Sequence, residues 1–252
     1  MYSCKLILKT KPGGRNGIRR KGRDHRWGKQ RGGKSDSQAL HTSRSESGVG
    51  RAEFDGLKST AEEVGLKNED WVGVEADLTK EVGSQAVIKA SLERFGRADI
   101  LFNFVGGWLG GELISDTPAE KLETMIQNHI WSSFFLAKVF SQHFLQQNWG
   151  RMAIVSSPSA SETPAKAGPY SIARAGEEAL LKTLANEFKG TGATSNVIRV
   201  RTIDDDHLRE KEPSEKNRGW TLPEEIAEML IFLCSEEGGR INGAIIPMYG
   251  GR

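Results

Sequence analysis

From about residue 54 onward, short apolar runs alternate with segments in which apolar residues recur at helical spacing. Short apolar runs predict buried β-strands over 71–76, 99–103, 151–156, 196–200 and 244–248. Apolar residues three and four positions apart predict helices over 54–64, 80–95, 118–147, 168–189 and 223–234. Thr79 is the expected N-cap of the second helix, and Pro223 is the expected first residue of the last. This alternation predicts an α/β protein: a Rossmann-like, doubly wound parallel sheet in a single domain.

Residues 1–50 do not share this pattern. They carry 13 Lys and Arg against three Asp and Glu, and they show no sustained hydrophobic period. Such a composition is typical of a disordered basic arm or of an organellar presequence. We expect no nucleic-acid partner, because a nucleic-acid arm usually has interleaved aromatic residues and this segment offers little beyond Trp27. The predicted organisation is an anomalous basic segment, 1–50, followed by an α/β domain, 51–252.

Composition narrows the class further. The two cysteines, Cys4 and Cys234, provide neither a disulfide framework nor a zinc-site spacing, so no metal site is predicted. No apolar run reaches the roughly 18 residues that a membrane span needs. We therefore expect a cytoplasmic protein without a membrane partner. The polar run 204–218 is expected to be a solvated loop over the substrate pocket.

Three polar residues stand at a suggestive spacing after the third predicted strand. Ser157 follows that strand directly, at the edge where parallel sheets bind ligands. Tyr170 and Arg174 are four residues apart, which places them on one face of a helix. A free tyrosine titrates near pH 10, so it needs a neighbouring cation to act as an acid or base near neutrality. The spacing predicts an acid–base site made of these three side chains.

The order of several motifs from about Glu53 to Gly251 resembles the short-chain dehydrogenase/reductase family. Ser157, Tyr170 and Arg174 are similar to its Ser–x12–Tyr–x3–Lys signature, with arginine in place of lysine. The stretch 103–106, Asn-Phe-Val-Gly, resembles its Asn-Asn-Ala-Gly segment. Residues 223–227, 241–244 and 250–251 resemble its C-terminal end.

The resemblance implies a hydride transfer between a nicotinamide cofactor and a carbonyl or alcohol. In the family, the tyrosine exchanges the substrate proton, the serine binds the substrate oxygen, the lysine holds the ribose and an asparagine holds a water. The residues so implied are, as catalytic, Asn128, Ser157, Tyr170 and Arg174; as cofactor-binding, Asp77, Asn103, Tyr170 and Arg174; and, as substrate-binding, Ser157. The resemblance also implies NAD or NADP as cofactor, a small-molecule substrate, and a homo-oligomer, dimer or tetramer, formed through the apolar helix 118–147.

Several positions depart from the family pattern. Arg174 replaces the lysine, Phe104 replaces the second asparagine of the Asn-Asn-Ala-Gly segment, and Asp205 and Asp206 replace Pro-Gly. Arginine keeps the cation, but its planar fork fits a ribose differently from an ammonium. All of these positions lie on the expected cofactor side, so they leave open how well the site accepts a nicotinamide.

The family's first strand and its Thr-Gly-x-x-x-Gly-x-Gly loop have no clear counterpart in residues 1–50. Codons compatible with residues 21–33, read one base forward, allow Lys-Val-Ala-Ile-Thr-Gly-Gly-Ala-Ser-Arg-Gly-Gly, which is close to the missing strand and loop. Trp27 followed by Gly28 forces the second glycine of that reading. Our hypothesis is that residues from about 21 to the mid-40s are translated in a shifted frame, so that the first βα unit is missing or garbled. Resequencing the DNA tests it.

Two alternative functions follow from the same residues. Halohydrin dehalogenases resemble this family but use a Ser-Tyr-Arg triad, lack the glycine loop and bind no nicotinamide, as Ser157, Tyr170 and Arg174 would allow. The other alternative is an inactive remnant of a short-chain dehydrogenase gene. Asp77, Asn128 and the glycine pair 106–107 favour the cofactor-using branch.

Overall fold

The computed structural model describes residues 71–249 and the backbone of Ser3–Cys4. The predicted helix 54–64 and the frameshift hypothesis for residues 21 to the mid-40s lie outside these residues. The strands are β1 Ser3–Cys4, β2 Ala76–Asp77, β3 Ile100–Asn103, β4 Gly150–Ser156, β5 Ala193–Val200 and β6 Ile245–Met248. The α-helices are α1 Glu81–Phe95, α2 Ala119–Met125, α3 Ser132–Gln146, α4 Ser159–Glu162, α5 Gly168–Glu187, α6 Leu208–Lys211 and α7 Pro223–Cys234. A π-helical turn, Ile126–Trp131, joins α2 to α3.

Four of the strands form one parallel sheet in the order β3-β4-β5-β6. Asn103 pairs with Ile154, and Ile154 with Val197, so the carboxyl ends of the strands meet at one edge. The connections between these strands run through helices, as parallel pairing requires. The structure therefore confirms the predicted α/β fold class in a single domain.

The core explains why β4 reads as a continuous apolar run. Every residue of β4 is buried, because helices cover the sheet. Phe144 packs its ring against the rings of Phe140 and Phe188, at centroid distances of 6.0 and 6.4 Å. A Cβ at Gly150 would come within 2.1 Å of the Phe144 ring. Glycine at the start of β4 thus lets α3 lie directly on the sheet.

The first described part of the domain differs from its prediction. The strand predicted over 71–76 is reduced to Ala76–Asp77, which pairs antiparallel with Ser3–Cys4. Thr79 does not cap α1, because its hydroxyl and its backbone N–H both donate to Oδ1 of Asp77. Lys80 takes the N-cap position and makes no side-chain capping bond there. Thr79 therefore stabilises the Asp77 carboxylate at the strand end instead of beginning the helix.

The helical region predicted over 118–147 is real but interrupted. The π-helical turn inserts between α2 and α3, and its six residues include Asn128 and His129. Both side chains are buried, with 2% and 0% of their surface exposed. Such turns are frequent at functional sites, and this one faces the loop that follows β3.

The prediction of a solvated loop over 204–218 is wrong at its first residue. Asp204 is 1% exposed, and its carboxylate accepts hydrogen bonds from the backbone N–H groups of Leu208 and Arg209. These bonds begin the short helix α6. Arg209 in turn pairs with Glu225 on α7, at 2.8 Å. The segment is thus anchored at its start, although Asp205 and Asp206 are exposed.

Two further features bear on the sequence predictions. Within residues 71–249, no helix combines the length and the apolar character that a membrane span requires. The same part of the chain holds no group of three or more His, Cys, Asp or Glu side chains arranged to bind a metal ion.

Candidate active site

Ser157 and Tyr170 lie at the carboxyl edge of the sheet. Ser157 directly follows β4, and its Oγ accepts a hydrogen bond from the backbone N–H of Ser159, at 3.2 Å. The hydroxyl hydrogen of Ser157 therefore remains available for an incoming oxygen. Tyr170 is the third residue of α5 and is half-buried. Pro169, just inside that helix, has the fixed φ that favours a helix start.

Arg174 joins α5 to the end of β4. Its Nη1 donates to the carbonyl of Val155 at 2.8 Å, two residues before Ser157. Its Nε lies 3.3 Å from the Tyr170 hydroxyl, as expected for residues four apart on one helix. The cation predicted beside Tyr170 is therefore present, and a backbone carbonyl fixes its position.

Glu177 pairs with Arg174 from the next turn of α5. Its Oε2 lies 2.8 Å from Nη1 of Arg174, and its side chain is 1% exposed. Its Oε1 accepts a hydrogen bond from Ser133 of α3. Burial alone would raise the pKa of Glu177, but Arg174, His129 and Ser133 outweigh it and hold the pKa below the ordinary value. Glu177 is therefore an ionised carboxylate inside the protein.

His129 of the π-helical turn completes the group. Its ring meets the Tyr170 ring edge to face, with centroids 5.7 Å apart. Its Nε2 lies 3.0 Å from the Gly107 carbonyl, and its Nδ1 lies 3.6 Å from Oε2 of Glu177. We call Tyr170, Arg174, Glu177 and His129 the buried cluster.

Asn128, the residue expected from the resemblance, is the neighbour of His129. Its Nδ2 lies 3.8 Å from where a Cβ of Gly107 would stand, and its Oδ1 has no hydrogen-bond partner among residues 71–249. The contact with Tyr170 is made by the His129 ring. Asn128 presents an unsatisfied buried oxygen, which could hold a water.

The two remaining predicted residues have different surroundings. Asn103 is 3% exposed and serves the fold: its amide donates to Ser133 at 2.7 Å, and its oxygen accepts from the Val105 N–H at 2.9 Å. Asp77 stays partly exposed beside Lys80, at 3.2 Å. Burial raises the pKa of Asp77, and the bonds from Thr79 and Lys80 outweigh it and lower that pKa. Asp77 thus offers a charged acceptor near the surface, whereas Asn103 shapes the loop after β3.

The surroundings of Arg174 fit a nicotinamide ribose. Its Nη2 makes no hydrogen bond to any residue within 71–249, while 11% of its side chain remains exposed. A Cβ at Gly106 would stand 3.1 Å from that Nη2. Glycine at 106 therefore lets the backbone of this loop lie close to Nη2 of Arg174, whose N–H groups could bind a ribose hydroxyl.

The sequence patterns assigned no role to Glu177 or His129. A signal existed for Glu177, because it stands three residues after Arg174 on a helix, at ion-pair spacing. His129 offered only its adjacency to Asn128. Trp108 and Trp131 are exposed, at 52% and 41%.

Comparison with known proteins identifies the group to which this architecture belongs. The family model described as Enoyl-(Acyl carrier protein) reductase matches residues 47–252. The 2,3-dihydroxy-2,3-dihydro-p-cumate dehydrogenase of Pseudomonas putida is 28% identical over 208 residues, covering 78% of this chain and 80% of the relative. The 3-oxoacyl-[acyl-carrier-protein] reductase MabA of Mycobacterium tuberculosis is 27% identical, covering 71% and 75%.

Solved structures agree with this. A short-chain dehydrogenase from Bacillus anthracis superposes with a TM-score of 0.69 at 25% identity, covering 78% of this chain and 81% of the other. The NAD+-bound xylitol dehydrogenase superposes with a TM-score of 0.70 at 18% identity, covering 80% and 86%, and so supports the fold. Sequence and architecture together place this chain in the short-chain dehydrogenase/reductase family, whose members are NAD(P)-dependent oxidoreductases acting on small molecules.

Proposed function

We propose that this protein interconverts an alcohol and a carbonyl compound with Tyr170 as the acid–base residue. The observation that carries the proposal is the 3.3 Å contact between Nε of Arg174 and the Tyr170 hydroxyl, at the carboxyl edge of the sheet. A guanidinium stays protonated in proteins, so Nε of Arg174 can donate a hydrogen bond to the Tyr170 oxygen at every working pH.

The side chains of the site divide the tasks of the oxidation direction among them. Ser157 donates its free hydroxyl hydrogen to the substrate oxygen. Tyr170, as phenolate, accepts the proton of the substrate hydroxyl while the substrate carbon loses a hydride. Nε of Arg174 donates a hydrogen bond to the phenolate oxygen, and its Nη2 donors would hold a ribose hydroxyl of the bound nucleotide. Asn128 holds a water with its unpartnered oxygen. In reduction, Tyr170 returns the proton.

NAD or NADP, when bound, supplies or accepts the hydride. Arg174 and Tyr170 would hold its nicotinamide ribose, and Asp77 would accept a hydrogen bond from its adenine. Asn103 would support the loop that follows β3. Asn103 contributes through the backbone it fixes, because its own side chain is buried and hydrogen-bonded within the protein.

Nucleotide binding and turnover test this function. The full chain is titrated with NADH and NADPH while its tryptophan fluorescence is followed, and oxidation of the reduced nucleotide is then measured with a panel of carbonyl compounds. Tyr170→Phe should weaken nucleotide binding only modestly, because Arg174 and Asp77 still contact the nucleotide, and should lose most turnover, by about 10²-fold or more. Turnover that survives in Tyr170→Phe would refute the assignment.

The alternatives give different results in the same experiment. Halide release from a vicinal halohydrin without nucleotide would support the dehalogenase reading of Ser157, Tyr170 and Arg174. An absence of both nucleotide binding and turnover in a folded protein would support the inactive remnant, with an N terminus that does not form the glycine loop.

We also propose that the protein forms a homo-oligomer through the start of α3. Trp131 and Phe134 are 41% and 40% exposed, and Trp131 stacks on Phe135 at 5.3 Å. Ile172 on α5 is also exposed, at 49%. A second copy of the chain fits this apolar surface by its chemistry, because an identical aromatic face is self-complementary about a two-fold axis.

A further inference from the structure

His129 is a buried titratable residue to which neither the family resemblance nor the proposed function gives a task. Its side chain is 0% exposed. It is held from two sides, by the Gly107 carbonyl at Nε2 and by the Tyr170 ring at its edge. A Cβ at Gly106 would come within 2.7 Å of its Cε1, so the backbone of the loop packs directly on the imidazole. The ring therefore has little freedom to turn away.

The atoms that face the ring determine where its hydrogens lie. Nε2 faces the Gly107 carbonyl, which can only accept a hydrogen bond, so Nε2 carries a hydrogen. Nδ1 lies 3.6 Å from Oε2 of Glu177, beyond hydrogen-bond distance, and has no hydrogen-bond partner within residues 71–249. An ionised carboxylate also only accepts hydrogen bonds. A neutral ring with its hydrogen on Nε2 would direct the Nδ1 lone pair toward this buried oxygen, where the two would repel. Both ring nitrogens of His129 are therefore expected to carry a hydrogen.

The charged side chains around His129 determine the net charge beside the Tyr170 hydroxyl. Arg174 and Glu177 form a close pair, with 2.8 Å between Nη1 and Oε2, so the negative charge of Glu177 offsets most of the positive charge of Arg174. Ser133, which binds the other carboxylate oxygen, is neutral, and so is Asn103 behind it. Within residues 71–249, the other titratable group in contact with His129 is Tyr170 itself. Without a charge on His129, the surroundings of the Tyr170 hydroxyl are close to neutral overall.

We propose that His129 is an imidazolium that supplies, beside Tyr170, the net positive charge that the Arg174–Glu177 pair lacks. It acts through the buried cluster and is therefore a positioning residue. The net charge next to the Tyr170 hydroxyl is then +1, which favours the phenolate. The inference rests on the proposed acid–base role of Tyr170 for its catalytic meaning, but the charge state of His129 exists without any substrate.

A test that does not need turnover reads the two side chains directly. Nitrogen-15 NMR of the full chain labelled at histidine, with His129→Gln as the assignment variant, reports the hydrogens on both ring nitrogens of His129. Ultraviolet absorbance of tyrosinate, with Tyr170→Phe subtracted, reports the ionisation of Tyr170 as pH is raised. We expect two protonated nitrogens at neutral pH in the unsubstituted protein.

Two variants separate charge from mere packing. His129→Gln removes a positive charge and should move the Tyr170 ionisation midpoint upward by about one pH unit. Glu177→Gln removes a negative charge and should move it downward by a similar amount. Loosened packing would shift both in the same direction, and that result would overturn the proposal, as would a ring with one hydrogen.

Turnover distinguishes this inference from the proposed function. If Tyr170 is the acid–base residue, the pH profile of kcat/KM for alcohol oxidation follows the absorbance midpoint in both variants. If the absorbance midpoints move as expected but turnover does not follow them, the proposed function fails and the charge role of His129 stands.

Discussion

Arg174 and Glu177 lie one turn apart on α5 and bind each other at 2.8 Å inside the protein. The same Nη1 atom of Arg174 also donates to the Val155 carbonyl. This pair fixes the cation next to Tyr170, and it also cancels most of that cation's charge. The choice of arginine at this position is thus linked to a carboxylate three residues later.

Arg174→Lys tests how much the planar fork matters. Lysine keeps the charge but cannot contact Tyr170, Val155 and Glu177 in the same geometry. We expect a loss of about 1–2 kcal/mol in the free energy of unfolding, because at least one buried hydrogen bond is lost. Nucleotide-dependent turnover should persist or rise, since the ammonium still lies beside Tyr170.

The matched control is Arg174→Met, which has similar length and no charge. It leaves Glu177 buried without its partner, so the loss should be larger, about 3–5 kcal/mol. Urea denaturation of both variants gives the comparison. Equal losses in the two would show that the ion pair contributes nothing beyond packing.

Gly106→Ala should destabilise the protein more than Gly107→Ala. A Cβ at Gly106 would stand 2.7 Å from Cε1 of His129, whereas at Gly107 its nearest neighbour would be 3.8 Å away. The imidazole is enclosed, so we expect overpacking to cost about 1–3 kcal/mol at Gly106 and little at Gly107. Thermal unfolding of the two variants measures the difference, and similar midpoints would contradict the close packing on His129.

Acid should destabilise the protein partly through Glu177. Burial raises the pKa of this carboxyl, but Arg174 and the other cluster contacts hold it below its ordinary value of 4.5. A lowered folded-state pKa contributes stability that is present above the ordinary value and lost as pH falls through the folded one. Unfolding free energies measured from neutral pH to about pH 3 should therefore fall more steeply in the unsubstituted protein than in Glu177→Gln. Parallel curves would show that Glu177 does not titrate differently on folding.

The Cys234 thiol should resist alkylation in the folded protein. Burial raises its pKa to about 12, although Arg151 acts in the opposite direction. The thiolate is the reactive form, so its fraction near neutral pH is very small. Iodoacetamide labelling of a Cys4→Ser variant, followed by mass spectrometry, should show slow modification that becomes fast in urea. Fast labelling without urea would contradict this burial.

The proposed oligomer depends on exposed aromatic side chains. Trp131→Glu should weaken association, because a charge would have to be buried against the partner copy. Light scattering after size-exclusion chromatography gives the mass of each species. The control is Gln127→Glu, which introduces the same charge at an exposed position of the same turn. A buried position such as Phe102 would not serve as a control, because a charge there would disturb the core. A monomer before any substitution would refute the interface.

Hydrophobic periodicity predicted the sheet and most helices well. Helix α7 has the predicted bounds, Pro223–Cys234, because a proline begins it and its apolar face is continuous. The spacing of Ser157, Tyr170 and Arg174 placed them at one edge, since strand ends and helix faces follow from local chain geometry. These features are encoded within a few neighbouring residues.

The features that sequence could not provide depend on distant contacts. Glu177 reads as a surface charge on an amphipathic helix until α3 and the π-helical turn close over it. Asp204 likewise reads as part of an acidic loop, yet it lies inside and begins α6. A charge looks the same in sequence whether it faces water or a buried partner.

The π-helical turn, Ile126–Trp131, can be viewed as a single inserted residue in an otherwise regular helix. Such an insertion advances every later side chain by about 100° around the helix axis. Deleting one residue here would restore an α-helix, but it would rotate either His129 or the aromatic face of α3 out of its present direction. The turn therefore allows His129 to point into the site while the aromatic side chains of α3 point to the surface, although both lie on one helical segment.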